Sequence, residues 1–241
     1  MSSKPTLKLD WCSHEAAKYA VEHWHYARKL PRGKTVKIGV WENERFIGSV
    51  VFARGNGVMG NFLGLDQFAV AELSRVALTN HRAPVSRIVA ISVKMLIKEF
   101  PGLRLLVSYA DPLQGHNGGI YQAMNWFNVG TSAPDTKYID KTGREWHSRN
   151  ISSNGFKVQF GRRTYTPPKD ECIAVALPPK HKYLYALDDE IKQKIAPLAK
   201  PYPKRPRAGS IDSDAAAFHV EEGGATPTSA LQEADSQAVI A

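Results

Sequence analysis

Residues 13–30 carry apolar positions at helical spacing. Ala17, Ala20, Val21 and Trp24 share one face, Ser13 stands where an N-cap belongs, and Pro31 stops the run. The period then changes to two. Thr35 to Trp41 and Arg45 to Arg54 read as strands joined by a tight turn at Glu42-Asn43-Glu44. A loop punctuated by Gly55, Gly57, Gly60 and Gly64 leads to a third strand, about Phe68 to Leu78, and then to a loop over residues 79–85. Val89, Val93, Leu96, Ile97 and Phe100 form the stripe of a helix from Ser86 to Phe100, closed by Pro101-Gly102. Leu103 to Ala110 is almost wholly apolar, the pattern of a central strand covered on both faces. After Asp111-Pro112, a Gly-rich turn over residues 114–119 opens a short helix, Ile120 to Phe127. Beyond Gly130 the pattern is less regular, with a hairpin expected around Lys141-Thr142-Gly143, strands at Cys172 to Leu177 and Lys182 to Leu187, and a polar helix from Asp188 to Leu198. Alternation of helices and strands around one buried strand predicts a mixed α/β (α+β) fold, with helices flanking a central mixed sheet.

Composition refines this picture. At 241 residues and 43% hydrophobic, the chain is long and apolar enough to bury a sizeable core. It has no run of 18 apolar residues and no basic-then-apolar leader, which predicts a soluble cytoplasmic protein without a membrane partner. Cys12 and Cys172 have no metal-pair spacing and read as ordinary thiols. The net charge of +9 is unevenly spread: residues 208–241 hold six acids and no Lys or Arg, so residues 1–207 carry +15. The expected organisation is one domain over 1–207 and a disordered acidic tail over 208–241. A body this cationic favours a polyanionic partner and excludes an acidic nucleic-acid mimic. Two basic runs supply such a surface: Lys157, Arg162, Arg163, Tyr165 and Lys169, then Lys192, Lys194, Lys200, Lys204, Arg205 and Arg207.

Candidate chemistry concentrates in two places. From Glu72 to Phe100 a strand, a loop and a helix start bring Arg82, Arg87 and the free N–H groups of the first helical turn towards one spot, an arrangement that holds a diphosphate. The next strand would lie beside the first, so a ligand could wedge between their ends. At the second place, His116 follows the buried strand close to Asp111, where α/β sheets place ligands. Asp111 either caps the Gly-rich turn or works in the site, since a buried acid is costly without a partner. Ser108 shares that strand and is a further catalytic candidate. His25 and Tyr26 close the first helix near where substrate would enter. Imidazole with carboxylate suits iron or general-base work, which makes His25 and His116 the candidate metal ligands, although no H-x-x-x-H or H-x-D spacing is present. His14, His81, His147, His181 and His219 read as solvated or structural.

The strand–loop–helix–strand order resembles the GCN5-related N-acetyltransferase fold, and Tyr121, five residues ahead of Trp126-Phe127, matches by position the tyrosine that protonates the departing CoA thiolate in that family. The segments His23-Trp-His-Tyr26, Glu72-Leu-Ser-Arg-Val-Ala-Leu78, Ser108-Tyr-Ala-Asp-Pro112, Gln114-Gly-His-Asn117, Ile120-Tyr-Gln-Ala-Met-Asn-Trp126 and Lys180-His-Lys-Tyr-Leu-Tyr-Ala186 together resemble the Mom DNA-modification proteins of Mu-like bacteriophages. No single motif is diagnostic; their joint order is. The resemblance implies replacement of an adenine N6 hydrogen in DNA by a carbamoylmethyl group, which protects phage DNA from restriction nucleases in the host cytoplasm. It also implies acetyl-CoA or a related acyl donor, and iron. The candidate donor-binding set is Val76, Leu78, Arg82, Val85, Ser86, Arg87 and Asn117; the candidate catalytic set is His25, Tyr26, Ser108, Asp111, His116 and Tyr121.

That chemistry carries its own demands. Adenine N6 is paired inside the duplex, so the base must be flipped out or presented on a single strand, with Trp126, Trp146, Tyr26 or Phe127 available for stacking. The product is joined through a CH2 carbon, whereas simple transfer from acetyl-CoA would leave an amide; iron-assisted chemistry or a different donor, such as a glycine-derived one, would supply the difference. Two other functions fit the residues: a conventional N-acetyltransferase acting on a small-molecule or protein amine, and a protein that shields DNA without chemistry. The oligomeric state stays open, a homodimer included.

Overall fold

The computed structural model describes residues 5–54, 60–159 and 161–204. The acidic tail expected over 208–241 and the loop glycines Gly55 and Gly57 lie outside the described residues. Seven strands form the main sheet, in the order β1-β2-β3-β4-β5-β12-β6. They are β1 (Leu7–Trp11), β2 (Thr35–Glu42), β3 (Arg45–Arg54), β4 (Val70–Leu78), β5 (Leu105–Ala110), β6 (Phe127–Thr131) and, last in the chain, β12 (His181–Ala186). All neighbours are antiparallel except β4 and β5, which run parallel. The helices are α1 (His14–Trp24), α2 (Val85–Glu99), α3 (Gly119–Gln122) and α4 (Asp189–Ile195).

The sheet is sandwiched because its strands are apolar on both faces. Val50 and Val51, adjacent on β3, point to opposite sides. Val50 joins Ile88, Val89, Val93 and Leu96 of α2, while Val51 joins Ala17, Ala20 and Val21 of α1. The same alternation on β5 sends Leu106 to the α2 side and Leu105 and Val107 to a cluster with Ile191 and Ile195 of α4. The almost wholly apolar run from Leu103 to Ala110 therefore holds a central strand, as its pattern predicts, beginning at Leu105.

Several boundaries differ from the sequence pattern for local reasons. The first helix stops at Trp24 rather than Leu30, because His25 turns extended (φ −124°) and its Nδ1 accepts the Ala27 N–H at 3.0 Å. The third strand starts at Val70, since the Asp66 carboxylate accepts from the N–H groups of Phe68 and Ala69 and holds that stretch in a turn. The last short helix ends at Gln122; Asn125 adopts φ +56°, and Phe127 begins β6 instead of ending a helix. The amphipathic strand β1 was not legible as a strand before the Ser13 cap.

Residues 133–179 form an excursion between β6 and β12, two adjacent strands of the main sheet. It holds β7 (Asp135–Ile139), β8 (Glu145–His147), β9 (Phe156–Gln159), β10 (Arg162–Tyr165) and β11 (Ile173–Leu177), arranged as a three-stranded sheet β11-β7-β8 and a β9–β10 ribbon. The hairpin expected at Lys141–Gly143 is the β7–β8 turn. No described helix is long and apolar enough to cross a membrane. Cys12 and Cys172 are both unpaired thiols.

Candidate active site

The site begins with a register shift. β4 pairs with β5 only through Val70↔Leu105, Ala71↔Leu106 and Glu72↔Val107. Against β3, Phe52 faces Leu73 but Val51 faces Arg75, so Ser74 is an extra residue, a β-bulge. A bulge bends its strand and ends local pairing, and the β4–β5 ladder stops there. Beyond it the two strands splay. The bulge has a second consequence. Residues three apart on a strand should face opposite sides, yet Glu72 and Arg75 both face the α1 side, since their partners Ala53 and Val51 share a face. Thr79 donates its N–H to Ile47 on β3. By alternation the main-chain groups of Val76 and Leu78 then point away from β3, into the gap.

Ser108 and Tyr121 stand inside the gap on the α2 side. The Ser108 hydroxyl lies 2.7 Å from the Leu73 carbonyl and 2.7 Å from the Tyr121 hydroxyl. A hydroxyl has one proton and a carbonyl can only accept, so Ser108 donates to Leu73 and the Tyr121 proton is free to point at Ser108 Oγ. The phenol packs against Trp126 and Tyr183, with ring centroids 5.2 and 5.0 Å away. Burial pushes the Tyr121 pKa up to about 12. Tyr121 therefore holds its proton at neutral pH and can act as a proton donor, not as a base. Ser108 has no base within reach; its hydroxyl anchors Tyr121 and is not an activated nucleophile.

Tyr121 reaches this position through the Gly-rich turn. Gly118 takes φ +81°, and a Cβ there would lie 2.3 Å from the Tyr183 ring. The Tyr183 hydroxyl donates to the Asn117 carbonyl at 2.6 Å, and the Asn117 side chain accepts from Gly119 N–H at 3.2 Å. Asn117 thus locks the turn that starts α3.

Across the gap, on the α1 side, an aromatic and charged group gathers at the mouth. The His25 and Tyr26 rings stack at 4.4 Å, and the His116 ring meets Tyr26 edge-on at 5.7 Å. Tyr26 is 43% exposed and its pKa is raised, chiefly by burial of its hydroxyl, with Lys180, Asp111, Arg75 and Glu72 all close enough to act on it. Burial, followed by the charges of Arg75, His116 and Lys180, pushes His25 down to about 4. His25 is consequently a neutral imidazole at physiological pH. The Arg75 guanidinium is fixed by donation to the carbonyls of Lys29 (3.0 Å) and Ser74 (2.7 Å). Asp111 accepts from Leu113 N–H at 3.1 Å and pairs with Lys180 Nζ at 2.8 Å. It caps the turn and balances the charge of Lys180.

The diphosphate loop departs from expectation. The buried Glu42 carboxylate accepts from Arg82 N–H (2.9 and 3.1 Å) and Ala83 N–H (2.7 Å). Two amides of the loop before α2 are thereby occupied by the protein's own anion. Burial alone would raise Glu42, yet these N–H bonds outweigh it and hold the carboxyl below its ordinary value. Arg82 lines a depression with Glu42, Asn43, Arg45, Asn80 and His81, at the end of the β2–β3 hairpin. Arg87 is exposed on the first turn of α2. Further candidates for holding a donor are the N–H groups of Val85 and Ser86, which the helix leaves without intrahelical acceptors, and the Val76 and Leu78 main chain. These fit an extended acyl donor. Iron does not fit in the same way: among the described residues no group of three or more His, Cys, Asp or Glu could hold a metal, and His25 Nδ1 is committed to Ala27.

Sequence reasoning brought together His25, Tyr26, Ser108, Asp111, His116 and Tyr121, and the structure gathers all six at this gap. It missed Glu72, Arg75 and Lys180, although a charged Glu and Arg in a strand that is otherwise core-forming were a visible signal. Trp126 is fully buried, so it is no stacking surface for a substrate base; Tyr26 is the exposed ring at the mouth.

A sheet with one parallel pair that splays at a bulge, followed by a loop and a helix N-terminus, defines the GCN5-related N-acetyltransferase-like fold. Solved structures with a similar course include a putative acetyltransferase from Acinetobacter baylyi (12% identity, 84% of this chain, 100% of that one, TM-score 0.45). A second is a putative acetyltransferase from Salmonella typhimurium, solved with its cofactor acetyl-CoA (12% identity, 76% of this chain, 95% of that one, TM-score 0.41). Within this fold the chain belongs to the Mom protein family, whose profile matches residues 6–204. It is 22% identical over 206 residues to the methylcarbamoylase Mom of Escherichia phage Mu, covering 82% of this chain and 84% of that protein.

Proposed function

We propose that this protein is a phage DNA-modification transferase that converts DNA adenine to N6-(carbamoylmethyl)adenine and so shields the DNA from host restriction endonucleases. The observation that carries the reading is the buried Ser108–Tyr121 pair at a strand gap whose opposite lip is formed by His25, Tyr26, Arg75 and His116, in a chain of the Mom family. The exposed Tyr26 ring, backed by His25, offers a flipped adenine a stacking surface, which offsets part of the cost of leaving the helix. Arg75, tied at two carbonyls, presents a fixed positive charge beside that surface. His25, neutral and with Nδ1 accepting from Ala27 N–H, carries its proton on Nε2 and offers a hydrogen-bond donor there. Tyr121 supplies a proton inside the gap, where water is excluded by Trp126 and Tyr183. Lys180 keeps Asp111 neutralised, so the mouth stays positive towards a polyanion.

A donor would lie along the Val76 and Leu78 main chain with its anionic part at the Val85–Ser86 turn; since plain acyl transfer would leave an amide, the carbamoylmethyl product requires a donor whose CH2 carbon is the one joined to N6, such as a glycine-derived one. Glu42 on the neighbouring amides limits how much diphosphate the loop can grip, which favours a donor held mainly by its chain. The test is expression in a bacterium followed by hydrolysis of its DNA to nucleosides and mass measurement of deoxyadenosine. The expected result is a carbamoylmethyl adduct that depends on Tyr121. An N-acetyl adduct, or DNA left unmodified while a free amine is acetylated, would replace this reading with a conventional acetyltransferase. Protection that vanishes once protein is stripped off would mean shielding without chemistry.

A further inference from the structure

We propose that the β9–β10 ribbon is a groove-binding grip for duplex DNA, presented from the mouth of the site; the choice of DNA rests on the proposed function. The excursion that carries the ribbon is pinned at its neck, where Ser132 N–H donates to the Lys180 carbonyl at 2.8 Å and Lys180 N–H donates to Ser132 Oγ at 3.0 Å. Lys180 is the same residue whose ammonium pairs with Asp111, so the excursion leaves the main sheet beside the gap.

Charge within the excursion is segregated. Four of the five acids in residues 133–179 are engaged locally: Glu145 pairs with Lys137, Glu171 with Lys141, Asp135 with His147, and Asp140 accepts from Thr142 and Trp146; the fifth, Asp170, lies outside the ribbon. The ribbon itself contains Lys157, Arg162 and Arg163 and no acid. Every residue of β10 is exposed, Tyr165 to 69%, and across from it Val158 is 65% exposed.

The register divides these side chains between two faces. Tyr165 stands opposite Phe156 and Arg163 opposite Val158, so they share one face, and the Arg163 guanidinium lies 3.6 Å over the Phe156 ring. Arg162 and Thr164 point the other way. A two-stranded ribbon alone is marginally stable and gains nothing from exposing Tyr and Val to water. Its root is fixed instead by Thr166, which is buried and bonded to Ser152 at 2.7 Å. A rooted, acid-free ribbon with cations on both faces matches the width and charge of a DNA major groove, which admits two strands of β-structure.

The test uses the full-length protein and the triple variant Arg162→Ala/Arg163→Ala/Tyr165→Ala, compared by fluorescence anisotropy on a short labelled duplex, the same strand unpaired, and an RNA duplex. The expected result is preference for DNA duplex by the wild type and a loss of about tenfold or more in the variant. The slope of log affinity against log salt should become shallower by about 2, one per arginine. The melting temperature should hold, since the three side chains are exposed. Modified adenine in cells should fall with affinity, while Tyr121→Phe should keep the affinity and lose the product. Variant binding with unchanged affinity and salt slope overturns the ribbon assignment, as does tighter binding of the single strand or of RNA by the wild type. Duplex binding through the ribbon with no modified adenine would instead sink the proposed function and leave the grip standing.

Discussion

The bond chain Leu73–Ser108–Tyr121 separates fold from chemistry through two substitutions of opposite rank. Ser108 is 1% exposed, and its hydroxyl satisfies a buried carbonyl and a buried phenol, each at 2.7 Å. Ser108→Ala strands both groups. At about 1–3 kcal/mol for each buried polar group left without a partner, the loss should be about 3 kcal/mol. For a domain of this size that lowers Tm by roughly 6–12 °C. Tyr121→Phe keeps the Ser108–Leu73 bond and the ring packing, so its cost should be about 1 kcal/mol, or roughly 2–4 °C. Activity should rank the other way. Removing a proton donor costs about a hundredfold to ten-thousandfold, whereas losing the residue that aims it costs up to about a hundredfold. The assays are differential scanning fluorimetry of both proteins and mass-spectrometric counting of modified deoxyadenosine in cells producing comparable amounts of each. If Tyr121→Phe modifies DNA at the wild-type level, or if Ser108→Ala is the more stable of the two, the reasoning is wrong.

Three further expectations follow from the same geometry. Gly118→Ala meets both a left-handed φ and the Tyr183 ring, so it should displace Tyr121 and abolish modification, while Gly115→Ala, with open space around its Cβ, should cost only about 1 kcal/mol; thermal melts with product counts on both decide this. Trp126 is fully buried and its indole N–H has no partner, so Trp126→Phe should cost within about 1.5 kcal/mol while Trp126→Ala costs about 3–5 kcal/mol; equal losses in denaturant melts would refute the packing account. His25 falls from its ordinary 6.5 to about 4 in the folded protein, so the unfolded chain binds the proton first as pH drops. Its contribution is complete above pH 6.5 and is lost progressively towards pH 4. Because the ring is partly open to solvent, the loss should be about 1 kcal/mol rather than the ~3 kcal/mol of the full shift. His25→Gln should flatten the Tm profile between those pH values; an unchanged profile would contradict the assignment.

What the chain by itself determined was the set of elements whose side chains answer to local or one-dimensional rules. Period and capping gave α1 through Ser13 and α2 through its apolar stripe, and a mostly apolar run gave β5 as a doubly covered strand. The cationic body was likewise legible, and the sequence marked His25, Tyr26, Ser108, Asp111, His116 and Tyr121 as candidates, because a polar or aromatic residue at the end of a buried element needs a reason to be there.

Only the tertiary structure decided how those pieces act. The Ser74 bulge depends on which β3 residue faces which β4 residue, and it alone puts Glu72 and Arg75 on one side and opens the gap. Glu42 and the loop amides are forty residues apart in sequence, so nothing local announces that a carboxylate occupies them. Lys180 meets Asp111 because antiparallel β12 inserts between β5 and β6 after a long excursion, and Trp126 is hidden because that same insertion brings Tyr185 onto its ring. Pairing across distant segments is chosen by the free energy of the whole sheet, and a sequence read along its own length does not contain that comparison.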